Sequence, residues 1–253
     1  RYAKRKGADI LGITNVMGSS LCRISSVYVG QSSGPEIGVA ATKTYTGQLL
    51  ALTKIAIKVA RRKGLIDEKG EKELLEELSK APEEVRKVIE KTKERIKELA
   101  VKYHNRKSFC FLGRGVHVAT AMEGRLKLLE ISYIPSIAYP AGESKHGFIA
   151  VVEPGYPVVF IIPPPDDETF DDVLSNIIEM KSRGADIIAV VPESALEKVK
   201  DFVDDPIVVP DVPKLVEPIA FIVPLQLFAY YVSVAKGYDP DKPRNLAKSV
   251  TVK

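Results

Sequence analysis

The sequence predicts an α/β protein of two units, each a parallel β-sheet flanked by helices on both faces. The first unit is incomplete, a helical linker joins the two, and an irregular tail follows. Three observations carry this expectation. Short apolar runs (ADILGIT, VYVG, KSFCFLG, YPVVFII, ADIIAVV, PIVVP) alternate with longer stretches of helical periodicity, the pattern of parallel strands covered on both faces. A segment recurs: Gly7-Ala8-Asp9-Ile10 matches Gly184-Ala185-Asp186-Ile187, 177 residues on, and Gln48 matches Gln226, 178 residues on. Finally, 253 residues at 45% hydrophobic content can bury more than one core.

The opening RYAKRKG reads as a helix end running into a strand; VYVG is a second strand and GQLLALTKIAIKVARRKG a long amphipathic helix. Residues 67–105 carry Leu74, Leu75, Leu78, Val85, Val88, Ile89, Ile96 and Leu99 at helical spacing. Pro82 suits the first turn of a new helix there, with Glu83 and Glu84 favoured near its N-terminus. That linker has one solvated face and no evident chemistry. KSFCFLGRG is then a strand ending in a glycine turn, and VHVATAMEGRLKLLEIS is helical. The apolar stretch 219–235 contains Pro224 and Gln226 and is short for a bilayer, so it is expected as a buried helix. The expected divisions are 1–66, 67–106, 107–235 and a tail, 236–253. By the repeat offset, Arg1 corresponds to position 178, so the first unit lacks a counterpart of about residues 108–177 and the chain is expected to start inside a domain.

Composition narrows the function. A net charge of +4, with no basic stripe interleaved with aromatics, argues against nucleic acid and suits a small anion. No signal peptide or membrane span is expected. Cys22 and Cys110 form no CxxC, and His104, His117 and His146 stand at no ligand spacing, so neither metal nor disulfide is expected and a cytoplasmic location fits.

Three local patterns could carry chemistry. In FLGRGVH, Gly113 and Gly115 open a helix whose N-terminal N–H groups could hold an anion; a ligand-free tight turn is the alternative. The third glycine of a dinucleotide fingerprint is lacking. Glu123, Lys127 and Glu130 at i, i+4 and i+7 share a helix face. They are either a surface pair worth ~0.3–0.5 kcal/mol or charged groups facing a pocket, with Glu130 able to move a proton. His146 sits in a glycine-flanked polar loop, AGESKHG, available for proton transfer near neutral pH. The tail, with Pro240 and Pro243, is either a frayed end or a lid that places Lys248.

In order along the chain, SGPEIGVAATKTYTGQL, EGRLKLLEISYIPSIAYPAGESKHG and PRNLAKSVTVK resemble the isomerase half of the glucosamine-6-phosphate synthase family. The resemblance spans essentially the whole chain. It implies two sugar-isomerase (SIS) domains of five parallel strands each, a dimer or larger assembly, and no cofactor. It implies that Lys248 forms a Schiff base with open-chain fructose 6-phosphate and that Glu130 shuttles a proton between C1 and C2, leading to glucosamine 6-phosphate. Lys127 would assist at the neighbouring oxygen. His146 would open the sugar ring, reaching into the partner subunit's site. Val39, Ala247 and Glu123 match substrate-binding positions, Val39 and Ala247 through backbone contact with the sugar. An imine requires an unprotonated amine, so Lys248 is expected to be desolvated or near other cations, with Arg244, Asn245, Leu246, Val250 and Val252 docking the tail. The family's phosphate loop and its ammonia-producing glutaminase domain match nothing in this sequence. Other SIS enzymes, deglycases or deaminases of amino-sugar phosphates, and phosphosugar-sensing modules are the alternatives, and the lysine-bearing tail discriminates against them.

Overall fold

The computed structural model describes residues 1–248. Its first part holds a short helix α1 (Tyr2–Arg5), strand β1 (Leu11–Thr14), helix α2 (Ser20–Ile24), strand β2 (Val27–Gly30) and helix α3 (Lys43–Arg62). β1 and β2 pair in parallel with Leu11 opposite Val27, α2 supplying the crossover that parallel strands need. Ser19 caps α2, its hydroxyl accepting from the Cys22 N–H.

Two linker helices follow, α4 (Glu68–Ser79) and α5 (Ala81–Tyr103). The Asp67 carboxylate caps α4 by accepting from the Gly70 N–H at 2.7 Å. Pro82 lies in the first turn of α5, as its fixed φ and missing N–H favour. Leu78, Val88, Ile96 and Leu99 of the helically spaced apolar positions are fully buried, whereas Ile89 is exposed.

The larger sheet is built from β3 (Phe109–Gly113), β4 (Ser136–Pro140), β5 (Pro157–Ile161), β6 (Asp186–Pro192) and β7 (Asp205–Val209). The strands are parallel in the order β4-β3-β5-β6-β7. Connecting them are α6 (His117–Ser132), α7 (Phe170–Lys181) and α8 (Leu196–Val199), and α9 (Glu217–Ala235) closes the unit. Strand side chains alternate strictly. Phe109, Phe111, Val159, Ile188 and Val190 pack with α5, α6 and α9, while Cys110, Leu112, Val158, Ile187 and Ala189 pack with α7 and α8. Both faces are thus covered, which is why these strands read as unbroken apolar runs. Arg95, Lys102 and Tyr103 of α5 all converge on the buried Asp205 carboxylate at the start of β7, clamping linker to sheet.

The recurrent segment folds the same way twice. Ile188 lies opposite Asp205 as Leu11 lies opposite Val27. Gly7 and Gly184 both adopt left-handed φ, at 85° and 83°, where a side chain would be strained. α9 is the one helix among the described residues long and apolar enough to cross a membrane, yet it packs against α5 and α6 in the core. At Gly124 of α6 a Cβ would come within 2.4 Å of Leu225 Cδ1 of α9, so only glycine fits there. Cys22 and Cys110 are free thiols, and burial pushes the Cys110 thiol well up, away from nucleophilic use.

Candidate active site

The helical spacing of Glu123, Lys127 and Glu130 puts them along one side of α6, which packs against α9. Lys127 is buried, 3% exposed. Its ammonium lies 2.7 Å from Glu130 Oε2 and 3.3 Å from Glu123 Oε1. Lys127 is therefore turned into the protein and lines the cavity described below, while Glu123 and Glu130 flank it as ion-pair partners outside that cavity's lining. Burial lifts the Glu123 carboxyl above the ordinary carboxylate range; Lys127 opposes the rise and the Glu130 charge adds to it. Across from Glu123, Tyr45 of α3 is raised by burial and by the Glu123 charge.

The tail crosses to this region by specific contacts. The Val39 N–H donates to Asp241 O at 3.1 Å, and Pro243 is buried. The Arg244 N–H donates to the Tyr133 hydroxyl at 2.7 Å, while its guanidinium lies 4.2 Å above that ring. Lys248 then donates to Glu36 Oε2 at 2.6 Å, Gly38 O at 3.0 Å and Val39 O at 3.4 Å. Glu36 is fixed in turn by the Thr42 N–H and the Thr44 hydroxyl. Burial pushes the Glu36 carboxyl up, but the hydrogen bonds from Lys248, Thr44 and the Thr42 and Thr44 backbone outweigh it and hold the group at about 2.

This corrects the expected environment of Lys248. The amine is part-exposed and paired with a buried carboxylate rather than desolvated. Its three contacts, to Glu36, Gly38 and Val39, hold the amine against this loop. Leu246, expected to dock, is exposed, because backbone hydrogen bonds and Pro243 carry the anchoring instead. Val250 and Val252 lie outside the described residues. Asn245 turns the chain toward the loop with a left-handed φ of 62°.

Glu36 and Lys127 line one cavity of about 390 Å³, with Gly38, Gln226, Tyr230 and Asp241 among its walls. A larger cavity of about 570 Å³ beside α3 contains Lys54, Lys58 and Arg62 but no carboxylate to move a proton, so the smaller one is the site candidate. The Val39 backbone already serves both the tail and Lys248, and Ala247 is exposed next to Lys248. His146 is not brought in. It ends a 3-10 turn, Ala141–His146, and is exposed to solvent. Sequence reasoning missed Glu36. A glutamate ahead of a long helix was visible, but nothing local marks a partner 212 residues away. Among the described residues no three His, Cys, Asp or Glu side chains converge as a metal site.

The family model for the SIS domain matches residues 102–236. This chain belongs to the SIS family. Within it, the chain is similar along its whole length to glutamine–fructose-6-phosphate aminotransferase (isomerizing). It is 47% identical to the protein of that name from Thermococcus kodakarensis over 252 residues, and 47% to that from Caldanaerobacter subterraneus. It covers 41% of each, so the SIS chain spans about two-fifths of the length of these relatives. The C-terminal domain of glucosamine-fructose-6-phosphate aminotransferase from Francisella tularensis superposes with a TM-score of 0.90 at 36% identity, over 96% of this chain and 68% of that one. A glucosamine-6-phosphate deaminase from Thermotoga maritima shares the fold, with a TM-score of 0.66 at 24% identity over 95% of this chain and 66% of that one.

Proposed function

We propose that this chain is the isomerase part of a glutamine–fructose-6-phosphate aminotransferase, converting fructose 6-phosphate and ammonia to glucosamine 6-phosphate. The observation that carries the reading is the tail, which lays Lys248 against the loop of Glu36 and Val39 at the cavity that also takes in Lys127. In this reading the Lys248 amine attacks C2 of the open-chain ketose and water leaves, giving an imine. Ammonia displaces the lysine by imine exchange. Glu130 then removes a proton from C1 and returns it to C2 through an enolamine, and the buried Lys127 ammonium steadies the oxygen where charge develops. Imine formation requires Lys248 to leave Glu36 and lose a proton, so Glu36 parks the nucleophile between turnovers.

The same reading assigns residues 1–66 to one SIS domain, 107–235 to a second, and 236–253 to the active-site tail. It has the protein act as a cytoplasmic homodimer, His146 entering the partner's site, with ammonia supplied by a glutaminase domain. The exposure of His146, away from the cavity, agrees with service to a neighbour. A monomer by light scattering that still isomerises fructose 6-phosphate would exclude this role. The central test is borohydride trapping with fructose 6-phosphate followed by peptide mass mapping. A reduced adduct on Lys248 is expected; an adduct at another lysine, or none, overturns the assignment.

A further inference from the structure

The tail that carries Lys248 is held by a side chain that takes no part in the proposed reaction. Tyr133 stands one residue past the end of α6, three residues after Glu130. Its hydroxyl accepts the Arg244 N–H at 2.7 Å, and its ring takes the Arg244 guanidinium at 4.2 Å from the centroid. The Tyr238 ring packs against it as well, with centroids 4.9 Å apart and planes tilted by 49°. One tyrosine thus touches both ends of the segment 238–244.

The backbone at Tyr133 sets this contact apart. Its φ of 60° and ψ of 18° are left-handed. Helices often end on a residue in that conformation, but the residue is usually glycine, which has no Cβ to be crowded there. A bulky aromatic residue is strained in it. Glycine would end α6 with less strain, yet it would bring neither the hydroxyl nor the ring. Among the described residues three non-glycine residues have φ above zero, and two of them, Tyr133 and Asn245, flank the Arg244 contact. Asparagine accepts the conformation readily; tyrosine does not. Such strain persists where the surroundings hold the residue in place, and here the surroundings include the tail.

Chain length gives the contact its consequence. Arg244 lies four residues before Lys248, so with Arg244 fixed the lysine Cα stays within about 14 Å of the Arg244 Cα. Among the described residues, the nearest other hydrogen bond from the tail to the body is at Asp241, seven residues before Lys248, where its carbonyl accepts from the Val39 N–H. Lys248 must leave its own partners, Glu36, Gly38 and Val39, before it reacts. From that moment only the upstream anchors keep the amine near the cavity. The effective concentration of a tethered group falls roughly as the −3/2 power of tether length, so retreat from Arg244 to Asp241 lowers it about twofold through length alone.

We infer that Tyr133 is the positioning residue of the tail, fixing Arg244 through hydroxyl and ring and so referring Lys248 to the helix that carries Lys127 and Glu130. This inference rests on the reaction proposed above. Tyr133 acts through Arg244 and not on the sugar.

Two variants and two readouts test it. Tyr133→Phe keeps the ring and removes the acceptor; Tyr133→Gly removes both and relaxes the backbone. Tryptic cleavage after Arg244, followed by peptide mass mapping with no sugar present, reads the anchor. It should quicken about threefold in Tyr133→Phe and about tenfold in Tyr133→Gly. Borohydride trapping of fructose 6-phosphate on Lys248 reads the positioning. It should slow by similar factors, with kcat falling and KM for the sugar phosphate near wild type. Urea unfolding of Tyr133→Phe should keep the wild-type midpoint. Were Tyr133 only a helix end, Tyr133→Phe would match wild type in both readouts, and that result overturns the inference. Slowed trapping with unchanged cleavage overturns it too, because the hydroxyl would then act other than through the tail. Absence of any Lys248 adduct in the wild-type protein overturns the proposed reaction instead, and the cleavage series still decides whether Tyr133 anchors the tail.

Discussion

The recurrent β–β–α segment is one pattern placed in two surroundings. In the second copy Ile188 of β6 is 1% exposed, between β5 and β7 and under α5 and α9; in the first copy its counterpart Leu11 of β1 is 52% exposed, in a sheet of two strands. Each copy also carries a glutamate ahead of its long helix. Glu36 precedes α3 and pairs with Lys248, whereas Glu217 opens α9 and faces His117. The sequence pattern sets strand, turn and helix alike in both. What each copy buries, and which charge its glutamate meets, comes from elements far away in the chain.

The sharpest division between the two surroundings is chemical. In the proposed reaction Glu130 is the proton shuttle, so Glu130→Gln should cut isomerisation by about 10²–10⁴-fold while sugar-phosphate binding survives, a loss in kcat read by steady-state kinetics. Wild-type turnover in that variant would make Glu130 a bystander and remove the functional asymmetry.

Stability offers the next contrast, at matched positions of the repeat. Ile188→Ala deletes a fully packed side chain and should cost ~2–5 kcal/mol in urea unfolding. Leu11→Ala removes a half-exposed one and should stay within ~0.5 kcal/mol. Equal costs would mean that the first copy is as deeply buried in solution as the second.

Smaller effects concern the two glutamates. Glu36→Gln should loosen the tail, raising the rate of tryptic cleavage at Arg244 by about fivefold at most, the scale of a part-exposed ion pair. Acid should act the same way. The Glu36 carboxyl is depressed from its ordinary 4.5 to about 2, so its contribution is complete above 4.5 and is lost as pH falls through that window. Cleavage by an acid protease such as pepsin near the tail should therefore rise between those limits in wild type but not in Glu36→Gln.

Much of this was legible from residues alone. Four strands of the large sheet, the long helices, the break before Pro82 and the repeat offset all follow from apolar periodicity and turn chemistry; the edge strand β4, mostly exposed, has no such apolar run and does not read as a strand. The shared face of Glu123, Lys127 and Glu130 follows from spacing on a helix. Spacing left open whether that face was wet or buried, because Lys127 becomes enclosed only when α9 packs against α6. The glycine loop was legible as a turn that opens a helix, but the burial of His117 beside it was not, since that depends on Phe221 and Glu217 a hundred residues on.

Sequence by itself determined the local conformations and the resemblance that names the chemistry, because periodicity, capping and glycine positions act within a few residues. Only the tertiary structure decided which charges meet. It paired Lys248 with Glu36 where the sequence suggested a desolvated or cation-flanked amine, and it left Leu246 in water where docking was expected. Coulomb forces and burial depend on distance in space, and that distance is set by how far-apart segments pack rather than by their order in the chain.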